Sequence, residues 1–181
     1  TFTEGDSGTT NAVFTVSLSA ASGQTATVNF ATADGTAGAG SDYVSTNGLL
    51  SFAPGTTNQT IAVAVLGDVL NEANETFFVN LSNPTNATFS DSQGLGTINN
   101  DDPVVAIAIN DVAVVEGNSG TTNAVFTVSL SAVSGQTVTV IFATADGTAV
   151  TGGDYVSANG LLTFAPGTTN QTIAVAVLGD V

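Results

Sequence analysis

The sequence predicts an all-β protein, an immunoglobulin-like β-sandwich of about seven strands per domain, carried as tandem repeats. Three observations lead there. The 181 residues are mostly Thr, Val, Ala, Ser, Asn and Gly, a strand-and-turn mixture poor in helix formers. Apolar and polar residues alternate over short, evenly spaced runs bounded by Gly, Pro and Asn. The third is internal repetition. "EGDSGTTNAVFTVSLSA" from Glu4 returns as "EGNSGTTNAVFTVSLSA" from Glu116, and "GLLSFAPGTTNQTIAVAVLGD" from Gly48 returns as "GLLTFAPGTTNQTIAVAVLGD" from Gly160.

The copies lie 112 residues apart without gaps, and about 57 of the 69 overlapping positions are identical. A period this long means tandem domains and not a solenoid of small units. The expected domains are 1–103, with its first strand missing, and 104–181, truncated before its last strands. "VVAIAINDVAVV" leads into the second copy, but almost nothing precedes Thr1. The second copy stops at Val181, before any counterpart of "LNEANETFFVNLSNPTNATFSDSQGLGTINNDD". The chain reads as a window from a longer array, whose missing pieces are not complementary.

The strands follow in order. The first is "AIAINDVAVV", seen only in copy two. The second, "AVFTVSLSA", puts Phe14, Val16 and Leu18 on one face and Thr15 and Ser17 on the other. The third, "ATVNFATA", turns Val28 and Phe30 inward. "GLLSFAP", "TIAVAVL", "TFFVNLS" and "GLGTI" supply the fourth to seventh, and "ASGQ", "APGTTN" and "SNPTN" are turns.

Absent residues exclude most chemistry. Without Cys there is no disulfide, thiolate site or cysteine nucleophile; without His there is no triad base or imidazole ligand. Without Lys or Arg there is no basic footprint for nucleic acid or anionic lipid. No apolar run approaches the roughly 20 residues of a membrane span, so no direct membrane insertion is expected in this window. Sequons at Asn58, Asn74, Asn80, Asn86 and Asn170 arise easily in so Asn- and Thr-rich a chain. What remains is oxygen chemistry: 15 acids and a net charge of −15.

Strand parity gathers those acids. Consecutive antiparallel strands alternate in direction, so the first, third, fifth and seventh end at one pole. Glu4 follows the first, Asp34 the third, and Asp68 the fifth. Glu72 and Glu75 fill the next connection, and Asp101 and Asp102 follow the seventh. Asp6 and Asp42 lie in connections at the same end, and Asp91 alone marks the opposite one. Two carboxylates about 4 Å apart repel by roughly 1 kcal/mol in water and about 4 kcal/mol at an effective dielectric near 20. Any single loop acid is explained as a solvated turn residue. The set, in a chain without bases, points to a hard cation. Calcium, taking about six to eight oxygens, fits best, with about two or more ions sharing bridging carboxylates. Asp101 and Asp102 would close the site from the linker side and fix the angle between domains.

At this point the motifs show a resemblance. "EGDSGTTNAVFTVSLS", the run from "DGTA" through "SDY", "FAPG", "NEANETF" and "LSN", and the closing "INNDD" resemble the Calx-beta domain family over essentially the whole chain. The resemblance implies an immunoglobulin-like sandwich with a calcium site at its distal end. Carried over by position, the ligands are Glu4, Asp34, Asp68, Glu72, Glu75, Asp101 and Asp102, and in the second copy Glu116, Asp146 and Asp180. Gly67 stands where a calcium-rich member carries another acid, and Asn100 replaces the first of three terminal acids. Fewer ligands imply fewer ions or weaker binding.

Other signals lead nowhere. "DSGT" at Asp6 resembles an aspartic-protease element, but the second copy has Asn118, and an acid dyad needs two carboxylates. No helix or base follows "GAGSDY", as a phosphate loop requires. A glycosidase carboxylate pair would lack a sugar platform, with no Trp and two Tyr. The expected protein is therefore not an enzyme. It is a structural repeat of a large extracellular bacterial surface protein or fibre, stiffened by Ca2+ at the inter-domain pole. Its expected partners are neighbouring repeats of the same chain and, in a fibre, other copies. The alternatives are a calcium-sensing regulatory module and an adhesive glycan- or protein-binding module.

Overall fold

A computed structural model describes residues 1–181 as twelve β-strands, with no helix. The chain divides into two compact units, Thr1–Val69 with Ala73–Asp102, and Leu70–Glu72 with Pro103–Val181.

In the first unit β1 is Phe2–Thr3, β2 Gly8–Ser17, β3 Ala26–Asp34, β4 Asn47–Phe52, β5 Asn58–Gly67, β6 Glu75–Thr85 and β7 Gln93–Asn99. They form a five-stranded sheet, β1-β7-β6-β3-β4, and a two-stranded sheet, β2-β5. The β2–β5 pair runs unbroken from Gly8↔Gly67 to Ser17↔Asn58. Strand β3 pairs with the edge strand β4 on one side, with Ala26 opposite Phe52, and with the central strand β6 on the other, with Asp34 opposite Phe77.

The core lies between these sheets. Ala12, Ile61, Val63 and Val65 come from the two-stranded sheet, and Val28, Leu50, Phe52, Phe77, Val79 and Ile98 from the other. Along β5 the buried Ile61, Val63 and Val65 fall at every second residue, the strand period. Phe77 lies at the centre, stacked on Tyr43 with ring centroids 4.7 Å apart and meeting Phe14 edge-on at 5.8 Å. Its ring covers Gly96 so closely that a Cβ there would overlap it.

The second unit contains β8 Ile107–Ile109, β9 Thr121–Leu130, β10 Val138–Ala143, β11 Asn159–Phe164 and β12 Asn170–Leu178. Its sheets are β10-β11 and β12-β9-β8. Equivalent core positions are less covered here: Val28 and Leu50 are buried, whereas Val140 and Leu162 are half-buried. The physical reason is local. In the first unit Phe77, Val79 and Ile98, from β6 and β7, cap this face, and the second unit has no strands in those places. A cleft of about 590 Å³ opens between its sheets, lined by Phe126, Phe142, Tyr155, Ile173 and Val175 among others.

Two strands differ from the sequence reading. Ahead of Glu4, where no strand was expected, Phe2–Thr3 pairs in parallel with β7, Phe2 opposite Ile98 and Thr3 opposite Asn99. In the second copy only Ile107–Ile109 of "AIAINDVAVV" is a strand, paired antiparallel with β9. Val114 and Val115, the counterparts of Phe2 and Thr3, have no β7-like strand to pair with, and Val115 is exposed.

Candidate metal centre

The pole of the first unit is assembled by backbone pairing. The parallel β1–β7 ladder brings Glu4 alongside the end of β7, where the Glu4 amide donates to the Asn99 carbonyl at 3.4 Å. One residue on, the Gly5 amide donates to Asp101 Oδ1 at 3.1 Å. Strand β5 delivers Asp68 to the same place. Its last residue, Gly67, packs so tightly that an added Cβ would overlap the Gly5 carbonyl and crowd that of Glu4.

Burial and charge show how close these groups are. Glu4 and Asp102 are 6% and 7% exposed, carboxylates inside a protein surface. Burial, and then the charges of Asp101, Asp6 and Asp68, push the Asp102 carboxyl above the usual carboxylate range. No Lys, Arg or His side chain exists anywhere to offset that field. Glu4, Asp6, Asp68, Asp101 and Asp102 thus share one site made of oxygen donors, which suits a hard divalent cation and no thiolate- or imidazole-seeking metal.

Asp34 ends β3 on the same unit, at a turn made by Gly35, where a Cβ would overlap the Thr76 carbonyl. Asp34 Oδ1 accepts the Tyr43 hydroxyl at 2.6 Å and the Ala39 amide at 3.0 Å. Burial, followed by the hydrogen bond to Asp34 and its charge, raises the Tyr43 phenol to about 12. Nearby, Asp42 accepts the Gly38 amide at 2.6 Å and the Ser41 hydroxyl at 3.0 Å. Asp42 and Glu75 each offer an oxygen, within 4.8 Å of one another. Glu72 is half-buried on the segment Leu70–Glu72, which groups with the second unit. Asp91 lies between β6 and β7 and holds its own turn, accepting the Gln93 amide at 3.0 Å.

The structure therefore joins Glu4, Asp68, Asp101 and Asp102, and it adds Asp6, which parity had put at this pole but the family positions had not included. Asp42 is a second addition of that kind, beside Glu75. The signal for both was their connection, not their motif. In the second unit Glu116, Asp146 and Asp180 are all exposed. Asp146 Oδ1 accepts the Tyr155 hydroxyl at 2.6 Å and the Thr151 amide at 2.8 Å. The Tyr155 bond, then those from Thr151, hold its carboxyl below the usual range. Asn118 stands in place of Asp6, and residues 104–181 hold no counterpart of Glu72, Glu75, Asp101 or Asp102.

The family model described as the Calx-beta domain matches residues 3–102 and again residues 98–181. The chain belongs to the Calx-beta domain family. Among curated relatives, sodium/calcium exchanger 2 of Rattus norvegicus is 32% identical over 174 residues, covering 84% of this chain and 18% of that protein. Sodium/calcium exchanger Calx of Drosophila melanogaster is 45% identical over 60 residues, 33% of this chain and 6% of the exchanger. The chain thus spans less than a fifth of these relatives. Among solved structures, CBD12 from CALX1.2 is 27% identical with a TM-score of 0.52, covering 97% of this chain and 70% of that one. The calcium binding domain CBD12 of CALX1.1 is 28% identical with a TM-score of 0.50, covering 91% and 67%. Two Calx-beta domains thus follow one another along this chain. The expectation of an extracellular or cell-surface location is overturned: the named relatives are exchangers in which such domains lie on the cytoplasmic side of a membrane protein. In this chain itself no helix is long and apolar enough to cross a membrane.

Proposed function

We propose that this chain is a non-enzymatic, calcium-binding regulatory module. In it Glu4, Asp6, Asp68, Asp101 and Asp102 of the first unit form the principal cation site, and Asp34 and Glu75 of the same unit contribute further oxygens. One observation carries the reading: two carboxylates, Glu4 and Asp102, are buried among three more acids in a chain without a basic side chain. Calcium, when bound, supplies the missing positive charge. The chain's own residues place the oxygens: β1 through its ladder with β7, β5 through the Gly67 contact, and the residues after β7 directly. The solved CBD12 structure named for calcium binding supports the choice of ion. Glu116, Asp146 and Asp180 form a weaker second set, since all three are exposed and Asn118 replaces an acid.

Titration calorimetry of the whole chain, with melting curves in chelator and in calcium, tests this. Calcium should bind in the micromolar range and raise the melting temperature. Asp101→Asn with Asp102→Asn should abolish most of both effects. No heat and no shift up to millimolar calcium would remove the proposal.

The near-identity of the copies favours a second reading, a calcium-stiffened spacer within a longer array. A spacer would respond near millimolar calcium, with a longer, stiffer scattering profile. A regulatory module would change shape near micromolar calcium.

A further inference from the structure

We infer that Tyr43 and Tyr155 are positioning residues for the cation sites, each tying one carboxylate oxygen, of Asp34 or Asp146, to the domain core. This rests on the calcium-binding reading and deepens it.

The geometry recurs in both units. In each, two donors fall on the same oxygen, Oδ1: the tyrosine hydroxyl at 2.6 Å and the backbone amide five residues beyond the aspartate. The loops between differ in sequence, with Gly38, Ala39 and Ser41 in one and Val150, Thr151 and Gly153 in the other. The tyrosine–aspartate bond is the same in both, so the pair itself, and not the loop's other side chains, sets the arrangement.

Tyr43 is a rigid anchor. It is 1% exposed, its ring is stacked on Phe77 at 4.7 Å and 18°, and its backbone is bridged to Val65 of β5. The Leu66 amide donates to the Asp42 carbonyl at 2.9 Å, and the Val44 amide to that of Ala64 at 2.8 Å. The hydroxyl cannot leave Asp34 without disturbing core packing.

Asp34 itself is exposed and, unheld, would sample several rotamers. Ordering it only when the cation arrives would lower affinity, and a phenol bonded to a carboxylate removes that cost beforehand. Because both bonds to Asp34 use Oδ1, its other oxygen is the one offered to a cation. Outer partners of metal-ligating side chains typically change affinity by about 10–100-fold.

Calcium calorimetry on the full chain with Tyr43→Phe, Asp34→Asn and the double variant tests the inference. Phenylalanine keeps the stacked ring and removes only the hydroxyl. Tyr43→Phe should weaken binding at the first-unit site by roughly 10-fold or more, and cause no further loss in the Asp34→Asn background. Wild-type affinity in Tyr43→Phe would overturn the inference while leaving the calcium reading intact. So would an equal loss in the Asp34→Asn background, which would make Tyr43 a general structural support. A wild-type chain that takes up no calcium would overturn both. Tyr155→Phe with Asp146→Asn repeats the cycle in the second unit, should Tyr43→Phe fail to fold.

Discussion

Asp102 shows how one side chain can carry opposite contributions with and without cation. Its folded carboxyl is raised by burial and by its acidic neighbours, so the folded chain holds this proton more tightly than the unfolded one. Asp102 therefore contributes stability below the ordinary carboxylate range, and that contribution is lost as pH rises through the raised value. Asp146 behaves in the reverse sense. Its lowered carboxyl contributes stability above the ordinary range, lost as pH falls through the depressed value. Melting curves in chelator between pH 3 and 7 should show Asp102→Asn stabilised against wild type at neutral pH and matching it in acid. Asp146→Asn should be destabilised at neutral pH and should match in acid. An Asp102→Asn variant that melts lower than wild type at pH 7 without calcium would mean that Asp102 is not under charge stress.

Among the elements, the junction of β5 with the segment after β1 sets what the site can hold. Gly67 ends β5 immediately before Asp68, and an added carboxylate there looks favourable on charge grounds alone. Packing decides otherwise. Any Cβ at 67 overlaps the Gly5 carbonyl and crowds that of Glu4, so a side chain there would push away the strand end that carries Glu4. Gly179 meets the same obstacle from Gly117, Glu116 and Ser119 in the second unit. Gly67→Asp should cost about 1–3 kcal/mol of stability, the usual penalty for overpacking. It should also weaken calcium binding, and Gly67→Ala should reproduce most of the stability loss. Tighter binding in Gly67→Asp, measured by calorimetry, would show that the β1 end yields more easily than its backbone contacts indicate.

For the molecule as a whole, two nearly identical sequences meet different surroundings. The first unit closes its core with Phe77, Val79 and Ile98, while the second leaves Val140, Phe142 and Leu162 half-buried beside an open cleft. Since hydrophobic stabilisation scales with apolar surface removed from water, the second unit has less of it within these 181 residues. Amide exchange followed by mass spectrometry should find β9–β12 exchanging faster than β2–β7 in the same sample. Equal protection would indicate that the cleft is covered in solution. Calcium should slow exchange most at residues 4–6, 67–69 and 100–102, where the first unit's carboxylates converge.

Much of this was written in the residue pattern. The period-two runs in "AVFTVSLSA" and "TIAVAVL" require half-buried strands, because alternate side chains on a pleated backbone face opposite ways. The absence of His, Cys and Met leaves oxygen as the side-chain donor for any metal, since imidazole, thiolate and thioether are not available. Parity alone put Asp6, Asp42 and the carried-over acids at one pole. Neighbourhood was not legible. That Asp102 and Glu4 are buried and that Gly67 blocks a further acid depend on distances between segments far apart in the chain. The two copies make the division plain. Matching segments yield corresponding strands at β2 and β9, β4 and β11, and β5 and β12, and the same tyrosine–aspartate bond, because those depend on local and near-local contacts. Core closure differs, because it depends on which other strands lie against the same face.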